Sequence, residues 1–162
     1  MQLILRAAVR ADGDAIRDVV FAVMREYGLR PDPDGVDRDL DDVEQTYQSN
    51  GGMFAVVEDT AATPGRVIGT VALLKLRDDT AELRKMYLAK PARGRGLGKR
   101  MLRYALTEAR RLGFARVELD TNSALVEAIG LYCSFGFTPM ELVGDDCRCE
   151  QRFGLDLAPD HD

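Results

Sequence analysis

The segment Arg93-Gly94-Arg95-Gly96-Leu97-Gly98-Lys99 carries the most informative pattern of the 162-residue chain. It follows a predicted strand and opens a predicted amphipathic helix. Backbone N–H groups at a helix N-terminus attract anions, and glycine lets the backbone approach a phosphate group closely. The segment therefore predicts a phosphate-binding turn, with Arg93, Arg95 and Lys99 adding positive charge. The alternative is a glycine-rich turn with solvated arginines.

Three known phosphate-loop patterns can be compared with this segment. The pattern Arg/Gln-x-x-Gly-x-Gly/Ala is met in full by Arg93, Gly96 and Gly98. A Walker A loop, Gly-x4-Gly-Lys-Ser/Thr, fails because Arg93 stands at its first position and Arg100 at its last. The dinucleotide fingerprint G-x-G-x-x-G starts correctly but ends on a lysine, so NAD binding is a near miss, with Asp120 as the matching ribose-binding acid.

Hydrophobic periodicity divides the chain into alternating strands and helices. Strands are predicted over 3–7, 53–58, 67–76, 81–88, 117–120, 137–143 and 148–155, the last two forming a hairpin around Gly144-Asp145-Asp146. Helices are predicted after residue 12, over 36–47, from 97, and over 123–135. The order β-α-α-β-β-β-α-β-α-β-β predicts a mixed α/β fold with one sheet. We expect a single domain over 1–157 and a loose tail over 158–162.

Composition excludes several classes of function. Lys+Arg 22 against Asp+Glu 27 gives a net charge of −5, which disfavours nucleic acid and anionic membrane surfaces as partners. No apolar run reaches the roughly 20 residues of a membrane-spanning helix. Three cysteines favour a reducing cytoplasm. Cys147-x-Cys149 is half of a metal site, and with His161 as the single histidine we expect no metal.

The loop and a second motif together resemble the GNAT superfamily of acyl-CoA-dependent N-acyltransferases. The second motif is Ala128-Ile129-Gly130-Leu131-Tyr132-Cys133-Ser134-Phe135-Gly136-Phe137, which matches A-x-x-L-Y-x-x-x-G-F. The resemblance implies a mostly antiparallel sheet flanked by helices. It also implies transfer of an acetyl group from acetyl-CoA directly to a primary amine of a small molecule or peptide. Such relatives often form homodimers.

The same resemblance assigns the residues that hold acetyl-CoA. The loop amides from Arg93 to Lys99 are expected to bind the pyrophosphate, and the backbone of Met86, Tyr87 and Leu88 to pair with the pantetheine arm. This pairing requires the fourth and fifth strands to splay apart. An N–H near Leu88 would stabilise the oxyanion. The matched helix begins near Ala128; Leu125 stands where the family often has Asn, and whether Asn122 replaces it stays open.

The resemblance also implies two side chains that transfer protons during the reaction. Tyr132 occupies the position of the general acid for the thiolate, and its ordinary pKa of about 10 keeps it protonated at neutral pH. Its alternative role is a core tyrosine. Glu82 is the candidate base that deprotonates the incoming ammonium; its alternative is an exposed strand carboxylate. Glu118 or water alone could replace it as the base.

The acceptor is left open by the sequence. Seven acids over 32–44, against Arg38 alone, would favour a cationic amine, although a solvated helix face is the commoner meaning of such a run. Tyr27, Tyr47 and Arg148 are further candidates to line the acceptor site. Rival functions are a non-catalytic acyl-CoA-binding module, which would have no need of the two proton-transfer residues, and a nucleic-acid binder using the Arg-Gly repeats.

Overall fold

The computed structural model describes residues 1–142 and 148–158 and is built on one seven-stranded sheet. The strands are β1 Leu3–Ala7, β2 Met53–Asp59, β3 Arg66–Arg77, β4 Thr80–Leu88, β5 Arg116–Thr121, β6 Thr138–Met140 and β7 Gln151–Asp156. The helices are α1 Gly13–Glu26, α2 Leu97–Arg111 and α3 Val126–Ser134. Neighbours in the sheet order β1-β2-β3-β4-β5-β7-β6 are antiparallel except β4 and β5. The predicted fold class is confirmed.

Several predicted features lie outside the described residues. These are the turn Gly144-Asp145-Asp146, Cys147, His161 and the tail beyond residue 158. The strands on either side of that turn, β6 and β7, pair in antiparallel fashion. No helix among the described residues is long and apolar enough to cross a membrane.

Helices cover both faces of the sheet because alternate strand residues point to opposite sides. In β2, Ala55 and Val57 belong to the cluster that packs under α2 and α3, whereas Phe54 and Val56 pack under α1. All four side chains are fully buried. The middle of the sheet is therefore a two-sided core, and the binding features described below lie at its edges and gaps.

The parallel pair β4–β5 is joined over a short stretch only. The paired residues are Thr80 with Arg116, Ala81 with Val117, and Glu82 with Glu118. Beyond Glu82, β4 and β5 continue without pairing to one another, so a wedge-shaped gap opens between them. The splay that the resemblance requires is present.

A bulge in β4 lies at the mouth of this wedge. The register with β3 passes from Ala72–Arg84 to Thr70–Tyr87, which leaves one extra residue in β4. Lys85 adopts a left-handed backbone with φ 50°, and the Thr70 hydroxyl donates a 2.6 Å hydrogen bond to the Lys85 carbonyl. The bulge turns the end of β4 relative to its beginning.

The helix predicted over 36–47 is replaced by a 3-10 turn, Arg38–Leu40, and a π-helical turn, Glu44–Gln48. Its apolar positions are nevertheless buried, with Leu40, Val43 and Tyr47 packed under the sheet face that α1 covers. Asp37 is also buried, and it accepts a 2.7 Å hydrogen bond from the backbone N–H of Asp32. A carboxylate drawn inward at this point bends the segment, and a regular helix is interrupted.

Candidate active site

The wedge beside β4 contains a cavity of about 400 Å³, which we call the donor cleft. Most of the residues expected to hold acetyl-CoA line it: Met86, Tyr87, Leu88, Arg93, Gly94, Gly96, Leu97, Gly98, Leu125 and Ala128. The side chains of Arg95 and Lys99 are exposed on the same loop but do not line the cleft. Five further lining residues were not assigned to acetyl-CoA from the sequence, namely Val23, Tyr27, Met101, Glu127 and Leu131.

Two glycines of the loop are required by backbone conformation. Gly94 and Gly96 have φ values of 80° and 72°, in the left-handed region that other residues rarely adopt. A Cβ built at either position would meet nothing within 4 Å, so packing does not explain them. Gly96 directly precedes α2, and the first N–H groups of that helix are free of intrahelical partners and available to an anion.

Arg93 joins the loop to two other elements. Its Nε donates to the Leu88 carbonyl at 2.9 Å, and its guanidinium binds the carboxylate of Glu26 at the end of α1. The same guanidinium lies 5.2 Å from the centre of the Tyr27 ring, within the range of a cation–π contact. The hydrogen bonds from Arg93 lower the pKa of Glu26. The bridge fixes the end of α1 at the rim of the donor cleft.

The end of β4 presents backbone groups to the wedge. Gly69 and Leu88 are opposite one another, and the next N–H, that of Ala89, donates to the Ile68 carbonyl at 2.8 Å. In an antiparallel ladder this pattern marks a non-hydrogen-bonded pair. The N–H and C=O of Leu88 therefore point away from β3, towards the gap.

A smaller cavity of about 110 Å³ lies in the same wedge, and we call it the acceptor pocket because Glu82 and Arg148, two residues predicted for the acceptor side, line it. Tyr87 and Leu125 line both cavities, so the two meet at these residues. Its polar lining consists of Glu82, Arg84, Lys85, Asp120, Thr121, Asn122, Arg148 and Cys149. Of the candidates named from the sequence, Arg148 lies here, Tyr27 lies in the donor cleft, and Tyr47 is fully buried.

Asn122 lines the acceptor pocket, not the donor cleft. Its Nδ2 donates to the Arg148 carbonyl at 2.6 Å, and its Oδ1 accepts from the Ala124 N–H at 2.8 Å. The second contact is an Asx turn, and α3 begins only at Val126, three residues later than predicted. In this structure both ends of the Asn122 amide hold the chain in place.

The two candidate bases have opposite electrostatic environments. The Glu82 side chain is 14% exposed, and its burial raises the pKa of the carboxyl group. Arg84, whose Nε lies 3.1 Å from Glu82 Oε1, acts in the opposite direction and lowers this pKa. Glu118 also suffers desolvation, but hydrogen bonds from Arg77 and Arg152 overcome it and lower its pKa. A raised pKa suits a base that must accept a proton near neutral pH, whereas a carboxylate held by arginines resists protonation.

Tyr132 is a buried residue of α3, packed 5.8 Å ring to ring from Phe137. Burial, followed by the proximity of Tyr87, raises the pKa of its phenol. Tyr132 is not among the residues that line either cavity, whereas Tyr87 lines both. The phenol therefore keeps its proton at neutral pH, and Tyr87 is the cavity-lining residue whose charge acts on it.

The acidic segment divides into buried and exposed carboxylates. Asp37 is 1% exposed and accepts hydrogen bonds of 2.8 and 3.0 Å from the Arg148 guanidinium and 2.8 Å from Lys85 Nζ. Burial opposes ionisation, yet these bonds lower the pKa of Asp37 to about 2. Asp39 lies 3.3 Å from Lys85 Nζ and accepts from the Tyr47 hydroxyl. The exposed acids are Asp32, Asp34, Asp41 and Glu44.

Comparison with known proteins agrees with this geometry. The family model described as "Acetyltransferase (GNAT) family" matches residues 20–137. The Escherichia coli K12 protein named "Uncharacterized N-acetyltransferase YjgM" is 37% identical over 139 residues, covering 83% of this chain and 81% of its own length.

Solved structures show the same fold. A GNAT-family acetyltransferase from Staphylococcus aureus Mu50 has a TM-score of 0.88 at 19% identity, covering 96% of this chain and 99% of its own. The yncA structure from Salmonella typhimurium, with its cofactor acetyl-CoA, has a TM-score of 0.75 at 23% identity and covers 99% of both chains.

Proposed function

Because this chain belongs to the GNAT acetyltransferase family and is an acetyl-CoA-dependent acyltransferase, we propose that it acetylates a primary amine of a small molecule or peptide by direct transfer. The carrying observation is that the donor cleft and the acceptor pocket meet at Tyr87 and Leu125. An amine in one cavity is thereby brought next to an acetyl group in the other, which replaces a bimolecular encounter with a preset geometry.

The donor cleft has the features that acetyl-CoA requires. The left-handed turn at Gly94 and Gly96 opens the N-terminus of α2 towards a pyrophosphate, and the free edge of β4 can pair with the amides of the pantetheine arm. Acetyl-CoA supplies an activated thioester. The N–H of Leu88, directed into the gap, is the proposed donor to the oxygen on which negative charge develops.

Glu82 is the proposed general base. An amine arrives at neutral pH as ammonium and must lose a proton before its lone pair can attack. Glu82 lines the acceptor pocket, and burial raises its pKa towards the range where a carboxylate accepts protons readily. The lowered pKa of Glu118 makes that carboxylate the weaker candidate.

Tyr132 is the proposed acid that protonates the departing thiolate. Tyr132→Phe is expected to lower kcat by about 100-fold or more with little change in acetyl-CoA affinity, since a role confined to the transition state is removed. Single-turnover rates and calorimetry measure the two effects. Phe135→Leu, at the residue directly after the same helix, is the matched packing control. Unchanged turnover in Tyr132→Phe would contradict the general-acid role and leave Tyr132 as a core residue packed against Phe137.

The donor assignment is tested by thermal unfolding with acetyl-CoA and, separately, NAD. A ligand at 100 times its Kd that binds only the folded state stabilises by about 2.7 kcal/mol, which is a clear rise in midpoint. We expect the rise with acetyl-CoA and none with NAD, and amine-dependent release of free thiol in the same preparation. A rise with NAD alone would contradict the proposal. The cytoplasmic location and the homodimer stay predictions.

A further inference from the structure

Most charged side chains that line the acceptor pocket form ion pairs with protein side chains that do not line it. Lys85 and Arg148 each bind Asp37, which is not itself a lining residue. Asp120 lies 2.7 Å from Arg152. These charges already have partners of opposite sign within the protein. The exposed acids of the segment over 32–44 do not line the pocket.

In one remaining ion pair, Glu82 with Arg84, both the negative and the positive side chain line the pocket. The two residues are two apart on β4 and so share a face of the sheet. Their side chains are 14% and 29% exposed, and Arg84 is the more accessible member. Arg84 contacts Glu82 through Nε and also hydrogen-bonds the Tyr47 side chain. A guanidinium carries five N–H donors, so these two contacts leave donors able to bind a second carboxylate.

The chemical complement of such a pair is a molecule with an ammonium and a carboxylate side by side. In an α-amino acid the bond lengths place the nitrogen about 2.5 Å from the carboxylate carbon. The carboxylate of Glu82 and the guanidinium of Arg84 are likewise adjacent, with Oε1 and Nε 3.1 Å apart. The ammonium can therefore face Glu82 while the carboxylate faces Arg84, with opposite charges adjacent throughout.

The rest of the pocket sets the size and polarity of the side chain. Met24, Leu29, Val36 and Leu125 give it an apolar wall. Its volume of about 110 Å³ is well below the roughly 300 Å³ at which sites for larger ligands begin. A long polyamine would find no further unmatched carboxylate among the described lining residues.

We propose that the acceptor is a small α-amino acid with an apolar side chain, whose ammonium is bound by Glu82 and whose carboxylate is bound by Arg84. This rests on the proposed acetyltransferase function. Binding through Glu82 also places the ammonium proton on the group proposed to remove it. Arg84 then determines specificity, because it distinguishes a free amino acid from the same amine without a carboxylate.

The test compares three acceptors, L-valine, L-valinamide and spermidine, by kcat/KM for thiol release from acetyl-CoA. We expect valine to exceed valinamide by about tenfold or more, the usual value of a charge-assisted contact, and to exceed spermidine as well. Equal rates for valine and valinamide, or a preference for spermidine, would overturn the proposal. Acetyl-CoA binding without thiol release to any amine would instead overturn the proposed function.

A variant pair tests the role of Arg84 itself. Arg84→Gln should bring the valine-to-valinamide ratio close to one. The ratio cancels any change in the basicity of Glu82, since both acceptors use the same base. Arg38→Gln, at an exposed position outside the pocket, should leave the ratio unchanged. A ratio that survives in Arg84→Gln would refute the assignment, and the wild-type comparison decides the acceptor class even if that variant folds poorly.

Discussion

Gly96→Glu is expected to abolish measurable acetyl-CoA binding while the fold survives. The new carboxylate would stand at the N-terminus of α2, where the pyrophosphate is proposed to bind, and two negative charges would repel one another. A Cβ at this position meets nothing within 4 Å, so steric damage to the core is absent. We expect Kd to rise by about 100-fold or more, equivalent to about 2.8 kcal/mol, measured by isothermal calorimetry.

The matched control for this variant is Gly113→Glu. Gly113 follows α2, has φ 91°, and likewise has open space around a built Cβ. Both variants force a non-glycine residue into the left-handed region at a cost of roughly 1–2 kcal/mol, but Gly113 is not a residue of the donor cleft. Loss of binding confined to Gly96→Glu supports the loop assignment; unchanged affinity in that variant would remove it.

Glu82→Gln is expected to lower kcat/KM by about 100-fold or more, the usual contribution of a general base. In the wild type, activity should rise with pH as Glu82 loses its proton. Because burial raises the pKa of this carboxyl above its ordinary 4.5, the fall in activity on acidification should begin at a higher pH than for an exposed glutamate. The variant should lack this limb of the pH–rate profile. Acetyl-CoA affinity should be unaffected, since Glu82 does not line the donor cleft.

Glu118→Gln is the comparison variant for Glu82→Gln, because Glu118 on β5 is the register partner of Glu82 on β4. Its carboxylate is held by Arg77 and Arg152, so the expected effect is on stability: a lower unfolding midpoint with turnover per folded molecule retained. Full activity in Glu82→Gln together with an inactive, folded Glu118→Gln would assign the base to Glu118. Full activity in both would leave water as the base.

The donor cleft was largely predictable because its determinants are local. The left-handed conformations at Gly94 and Gly96 can be adopted at little cost only by glycine, and the requirement appears directly in the order of residues. The strand before the loop and the helix after it are continuous stretches with clear periodicity. Even Leu125, the departure from the resembled pattern, lies in the cleft.

The acceptor side was not predictable to the same degree, because its contacts are distant in sequence. Asp37 meets Lys85 48 residues away and Arg148 111 residues away, and no local pattern indicates that this one acid of the segment is buried. That burial also interrupts the helix expected over 36–47. The Arg93–Glu26 bridge and the exposure of Arg84 next to Glu82 are likewise products of tertiary packing.

The short contact between β4 and β5 divides the sheet into two parts that diverge on one side. One part is β1 to β4, the other is β5, β7 and β6, and three residue pairs of the sheet join them. Both cavities lie where the two parts diverge, and Tyr87 and Leu125 form a wall of each. If a ligand in one cavity changes the affinity of the other through this shared wall, thermodynamic reciprocity requires the second ligand to change the affinity for the first by the same factor.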